Sequence, residues 1–359
     1  MHFSRWIIVT TGCILTLVLA AETIADAQAV YPDGRWATRK PAQVGLDRAR
    51  LDKLRDYSGG SGCIVRHGYM VYTWGDASRR KDVASACKPL YTHFLLKAIQ
   101  DDKLPDANQP IVKYQPGLRK LNPDLGYKDR EITWRHLANQ ISCYGVRERP
   151  GRAYDYSDYN MALFFDTLML KVYGVTWKTV DAEVLHPMLA DILQCQDNPT
   201  FMAFGTGNRP GRLGISPRDF ARFGLLYLRK GKWKDQQIIK AELVKLATTS
   251  PVPLSVPRTK GKKAQMLPKQ RSIGGGSNQC DHNGSYSYAW WINGITREGP
   301  RNWPDVPADT FGCFGHGDIR ACVVMPALDA VVCWNDSRIK GREMVNRALR
   351  FVVEAAESN

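Results

Sequence analysis

Ser85-Ala86-Cys87-Lys88-Pro89-Leu90-Tyr91-Thr92-His93-Phe94-Leu95-Leu96 is the stretch on which the fold turns. Its apolar run, Pro89-Leu90-Tyr91 to Phe94-Leu95-Leu96, predicts a core helix over 85–100. Ser85 and Lys88, three residues apart, fall on one face of that helix, close enough for the amine to polarise the hydroxyl. The spacing alone decides little, because Ser78/Lys81 and Ser337/Lys340 share it. Ser85 differs in opening a buried helix, where free N–H groups can face a developing oxyanion.

On the N-terminal side, Leu46-Asp47 with Leu51 and Leu54 predicts a capped helix. Cys63–Arg66 and Tyr69–Trp74 then flank His67-Gly68 as a hairpin. On the C-terminal side the chain to about 249 reads as mainly helical, with caps at Thr133 and at Ser216 before Pro217. Strands resume over Tyr286 to Ile292, a hairpin follows over 320–335, and a last helix runs over about 338–356. The fold class expected is α/β (α+β): an antiparallel sheet flanked by N- and C-terminal helices, built from 30–100 and 285–359, with a mainly helical insertion over 101–284. A site is expected in the groove between the two parts. Residues 250–287, with Arg258, Lys260, Lys262, Lys263 and Gly274-Gly275-Gly276-Ser277, read as a long basic loop, of a length usual for lids and for disordered segments.

With 359 residues, 44% hydrophobic and 24% charged, the chain can build one large core or two smaller ones, which excludes a disordered chain, a collagen-like repeat and a disulfide-stapled miniprotein. A net charge of +15 favours anionic partners. Residues 1–29 read as a signal peptide: a basic start at Met1 to Arg5, an apolar run from Trp6 to Ala20, and Ala27-Gln28-Ala29 as the cleavage site. The run is short of the roughly 20 residues of a membrane span, so a membrane contact is expected only through an uncleaved signal. The expected location is periplasmic or secreted. Eight cysteines remain beyond Cys13, and no C-x-x-C occurs, which argues against a zinc ribbon or a thioredoxin-like site. Counting outward from the turn Pro326-Ala327-Leu328-Asp329 sets Cys322 opposite Cys333, either as cross-strand neighbours or as two small apolar core residues.

No G-x-S-x-G, H-E-x-x-H or Walker A motif is present, so a nucleophile elbow, a zincin site and nucleotide binding have no support. No cofactor or metal is expected, and no nucleic-acid partner, since the positive charges are dispersed. Two further segments give the Ser85/Lys88 pair a context. Tyr154-Asp155-Tyr156-Ser157-Asp158-Tyr159-Asn160 leads into a helix, and Gly315-His316-Gly317-Asp318 precedes a strand. With Ile132 to Leu137, Arg218 to Gly224 and Tyr288 to Trp291, the chain over 45–355 resembles the serine β-lactamase and penicillin-binding-protein-like superfamily, in its branch of class C β-lactamases, carboxylesterases and 6-aminohexanoate-oligomer hydrolases.

The resemblance implies a nucleophile at Ser85, its lysine at Lys88, the motif tyrosine at Tyr156, and an oxyanion hole from the N–H groups of Ser85 and Ile319. It implies that Lys88 lowers the pKa of Tyr156, so that a phenolate takes the Ser85 proton and returns it to the leaving group. Two positions depart from the family pattern. Asp158 stands where Asn is usual, and His316-Gly317-Asp318 stands for Lys-Thr-Gly. Loss of that Lys disfavours penicillins and favours esters or simple amides. Asp158 is expected either to keep Lys88 charged or to cap the helix starting near Tyr159. The expected activity is an exported serine hydrolase acting on a small ester, amide or peptide-like substrate, with Asp158, His316, Gly317 and Ile319 at the substrate. The competing reading is a non-catalytic protein of the same fold that binds a cell-wall or other anionic polymer, with an anionic cell-envelope surface as partner.

Overall fold

The computed structural model describes residues 29–204 and 210–357, so the signal-peptide reading lies outside the described residues. The chain begins with α1 (Arg48–Ser58), capped by Asp47, whose carboxylate accepts the Ala49 N–H. The hairpin β1 (Ser61–Arg66) and β2 (Tyr69–Trp74) follows, then the short β3 (Lys81–Asp82) and α2 (Lys88–Gln100). The middle of the chain holds α3 (Trp134–Ala138), α4 (Asp158–Asp166), β4 (Gly214–Ile215), which pairs with β3, and α5 (Pro217–Leu228). A small β5 (Lys232–Trp233) and β6 (Gln236–Gln237) ribbon and α6 (Ala241–Thr249) complete that region. The last third carries β7 (Tyr286–Ser287), β8 (Trp290–Ile292), β9 (Phe311–Gly315), β10 (Arg320–Met325), β11 (Ala330–Asn335) and α7 (Gly341–Glu357).

Seven strands form one antiparallel sheet in the order β2-β1-β11-β10-β9-β8-β7. Strands from the two ends of the chain thus meet inside the sheet, where β1 pairs with β11 from Ser61↔Asn335 to Arg66↔Ala330. One face packs on α1 and α7 through Leu51, Leu54, Val323, Val332, Leu349 and Val352. The other face carries α2, α5 and the inserted segment around Leu90, Phe94, Leu95, Phe223 and Trp290. Each such fully buried side chain contributes roughly 1.5–3 kcal/mol of transfer free energy. Helix α5, although it lies within the stretch 101–284, packs directly across β1, β10 and β11.

Three local differences from the sequence reading have physical causes. The stretch 85–100 does not begin as an α-helix: Ala84–Cys87 is a 3₁₀ turn, and the Lys88 N–H closes on the Ser85 carbonyl. Pro89 has no N–H to make the α-type bond to that carbonyl, so the tighter bond takes its place. Residues 286–292 are not one strand but two, joined by a turn in which Tyr288 and Ala289 both hold positive φ, 45° and 70°. The Asn139 side chain receives the Tyr288 N–H at 2.8 Å and helps hold that backbone. Between 101 and 133 the chain runs through four short 3₁₀ turns rather than long helices, with Pro116 and Pro123 opening two of them. The 320–335 hairpin has the register read from its turn, Met325↔Ala330 and Cys322↔Cys333.

Helix α5 approaches the sheet at Gly224, where a Cβ would lie 2.5 Å from Val331 Cγ1 and 2.8 Å from Cys322 Sγ. Glycine to alanine within a helix ordinarily gains about 1 kcal/mol. Here crowding reverses the sign, and Gly224→Ala is expected to cost roughly 1–3 kcal/mol in urea unfolding. A stabilised variant would show that the α5–sheet contact is loose.

Candidate active site

The 3₁₀ turn that carries Ser85 lies against β9. Gly315, the last residue of β9, is packed so closely on Val83 and Ala86 of this turn that a Cβ has no room. Ala84, just before Ser85, holds a positive φ of 53°, and its N–H is fixed by Asp82 Oδ1 at 3.0 Å. Non-glycine residues in that region are held by their surroundings, and the surroundings here converge on Ser85.

Lys88 is fully buried in the first turn of α2, with Nζ 2.6 Å from Ser85 Oγ. Its charge is matched by Asp158, whose Oδ1 lies 2.9 Å away, with both side chains almost wholly removed from solvent. Asp158 is not the cap of α4. Ser157 takes that role by accepting the Asn160 N–H, and Asn160 itself is held by Leu137, Gln140 and Ser142. Burial pushes the Asp158 carboxyl upward, but the Lys88 charge and hydrogen bonds from Lys88, the Gly275 N–H and Gln279 outweigh it and leave the group below its ordinary range.

Tyr156 completes the cluster. It lines the same cavity as Ser85, its ring lies 4.5 Å from Lys88 Nζ, and Trp291 stacks on it with centroids 6.1 Å apart. The expected lowering of its pKa is not found. Burial, with Cys280 and the Asp158 carboxylate adding to it, holds the phenol well above its ordinary value. The negative charge that the family pattern lacks at position 158 offsets the lysine that was expected to ionise the tyrosine.

Residues 272–279 of the long loop close over Asp158. The Ile273 N–H donates to the Asp158 carbonyl, the Gly275 N–H to its Oδ2 at 2.5 Å, and the Asn278 N–H to Asp155. Arg212 ties this loop to the Ser85 turn. Its guanidinium grips Asp82 through Nε and Nη2, at 3.0 and 2.5 Å, and donates Nη1 to the Ile273 carbonyl at 3.1 Å. A closed ring results: Ser85, Lys88, Asp158, Ile273, Arg212, Asp82 and Ala84, each bonded to the next. Sequence alone offered no signal for Asp82 or Arg212, which lie 130 residues apart in the chain. The glycine run 274–276 did mark the loop.

These groups form one wall of a cavity of about 820 Å³. Ser85, Tyr156, Asp158, Trp291, His316 and Gly317 all line it, with Arg212, Arg320 and Arg342 also on its walls. Of the Trp290-Trp291 pair, the first is core and the second faces the cavity. Cys87 points into the core toward the Tyr91 hydroxyl. Ile319 is not on the cavity wall; its carbonyl accepts from Ser337, toward β11. The strand-side N–H that faces the Ser85 turn follows from the ladder. Asn293 N–H donates to Thr310 O, which fixes Trp291↔Gly312 as a hydrogen-bonded pair and Gly315↔Arg320 as another. The Gly315 carbonyl therefore points to β10, and across a trans peptide the His316 N–H points the opposite way, off the open edge.

No family model matches the chain, and no curated protein does. Solved structures match it over most of its length. A chain assigned as a 6-aminohexanoate-dimer hydrolase from Bacillus anthracis has a TM-score of 0.63 at 13% identity, covering 92% of this chain and 90% of that one. A β-lactamase from Mycobacterium bovis gives 0.56 at 17%, covering 86% and 97%. A penicillin-binding-protein homologue from Caulobacter crescentus gives 0.56 at 13%, covering 91% and 98%. The chain has the fold of the serine β-lactamase and penicillin-binding-protein superfamily.

The Lys88–Asp158 pair gives a stability prediction. Asp158→Asn leaves a buried ammonium without its counter-ion and is expected to cost about 3 kcal/mol in urea unfolding. A capping role alone would make the same change nearly neutral.

Proposed function

We propose that the protein is an exported serine hydrolase that forms an acyl-enzyme on Ser85 and cleaves an ester or amide bond of a small or peptide-like substrate. The observation that carries this reading is the setting of one oxygen: Lys88 Nζ lies 2.6 Å from Ser85 Oγ and 4.5 Å from the ring of Tyr156, and Ser85 and Tyr156 both line an open cavity. Export rests on the character of residues 1–29.

In this reading the charged Lys88 holds Ser85 Oγ in place, and the Tyr156 phenolate removes the serine proton as the hydroxyl attacks the carbonyl carbon. The N–H groups of Ser85 and His316 receive the oxyanion. Tyr156 then passes the proton to the leaving alcohol or amine, and a water molecule repeats the sequence on the acyl-enzyme. The cavity suits neutral acyl groups near Asp158, whose charge is already matched by Lys88.

Mass spectrometry after a fluorophosphonate probe is expected to find the adduct on Ser85, and Ser85→Ala is expected to abolish hydrolysis of p-nitrophenyl esters with the fold intact. Turnover by Ser85→Ala would overturn the reading, and the absence of any adduct would favour the binding protein. Because the active form of Tyr156 is deprotonated and its pKa lies above the ordinary value, kcat/KM should climb from pH 7 through pH 9 without a plateau. Removing the Asp158 charge lets Lys88 act on the phenol, so Asp158→Asn should move that rise to lower pH. A profile identical to wild type would remove Asp158 from the electrostatics of the reaction.

A further inference from the structure

Four cysteines lie abreast on four neighbouring strands: Cys63 on β1, Cys333 on β11, Cys322 on β10 and Cys313 on β9, in direct register as Cys63↔Cys333, Cys333↔Cys322 and Cys322↔Cys313. Directly opposite residues share a face, and all four sit fully buried under α5, in the core cluster that also holds Phe220 and Phe223. Their side chains thus form one row across the four strands, and all four thiols are free. The proposed hydrolysis uses none of them.

The ladder distinguishes the three pairs. His67 N–H donates to Asp329 O, so His67↔Asp329 and, at the same parity along the strands, Cys63↔Cys333 are hydrogen-bonded pairs. Cys333 then turns its N–H and C=O to β1, which makes Cys322↔Cys333 a non-hydrogen-bonded pair. The opposite edge gives the same answer, since the Asn293–Thr310 bond makes Cys313↔Cys322 a hydrogen-bonded pair. Opposite Cβ atoms are about 4.5–5.5 Å apart and closest in non-hydrogen-bonded pairs. A disulfide needs them at about 3.5–4.5 Å. Only the central pair approaches that requirement without displacing a strand.

We propose that Cys322 and Cys333 are a modification site: they close a cross-strand disulfide when the chain folds in the presence of a disulfide oxidant. One thiolate attacks the oxidant's disulfide and releases a thiol; the second thiolate attacks the mixed disulfide and releases the other thiol. Two protons and two electrons leave the cysteine pair, and the oxidant's disulfide is reduced. Because α5 covers the row in the folded protein, the exchange takes place on the hairpin before α5 docks. Cys63 and Cys313 flank the bond as free thiols on either side.

The test is to refold the denatured, reduced chain in a glutathione redox buffer, block remaining thiols by alkylation under denaturing conditions, and map the peptides. A 322–333 crosslink in wild type, retained in Cys63→Ala and lost in Cys322→Ser, is the expected result, with a melting temperature that falls in wild type on adding reductant. All four thiols alkylated in the refolded wild type, or a crosslink joining Cys63 to Cys333 or Cys313 to Cys322 in place of the central one, would overturn the proposal. The wild-type map decides it even where a variant fails to fold.

Discussion

The contact between Lys88 and Asp158 is the constraint around which the site is arranged. A buried ammonium is tolerable only with its counter-charge in place and its remaining protons used, and Lys88 spends them on Asp158 and Ser85. Asp158 in turn needs donors, and the loop 272–279 supplies them from its backbone. That loop needs an anchor of its own, found in Arg212, which also fixes Asp82 and through it the turn of Ser85. Removing any member leaves a buried charge or carbonyl without a partner, which is why segments far apart in the chain are fastened at this one place.

Asp158 also decides how the cluster differs from what Ser85, Lys88 and Tyr156 alone suggest. A lysine beside a tyrosine lowers the phenol pKa when its charge is unmatched. With a carboxylate on the lysine, the positive field at the tyrosine is largely cancelled, and burial prevails. The carboxylate at this position thus sets the electrostatics of the whole cluster.

Much of the fold was legible because it is written in local periodicity: the β1–β2 hairpin, the caps at Asp47, Thr133 and Ser216, and the Cys322↔Cys333 register all follow from residues near one another in sequence. Ser85, Lys88 and Tyr156 were legible as motifs. The features that escaped were set by distant partners. The turn at Tyr288-Ala289 has no glycine or asparagine to announce it, and the Asn139 side chain that helps hold it is far away in the chain. The direction of the His316 N–H, which follows from ladder parity, is invisible to a motif match. The tyrosine's pKa depends on a sum of burial and charges that no spacing reveals.

The pairing of β1 with β11 has a consequence for the order in which the molecule can be made. A ribosome delivers β1 early and β11 almost last, so these two neighbouring strands cannot meet until nearly the whole chain has emerged. Until then α1 and the β1–β2 hairpin have no α7 and no β11 to cover their apolar faces. Closing so long a loop is slow, and the nascent chain stays open and sticky for the length of its synthesis. Any process that must handle the polypeptide unfolded, such as threading through a narrow pore, has that interval in which to act, and a holdase that shields the early strands has a defined task.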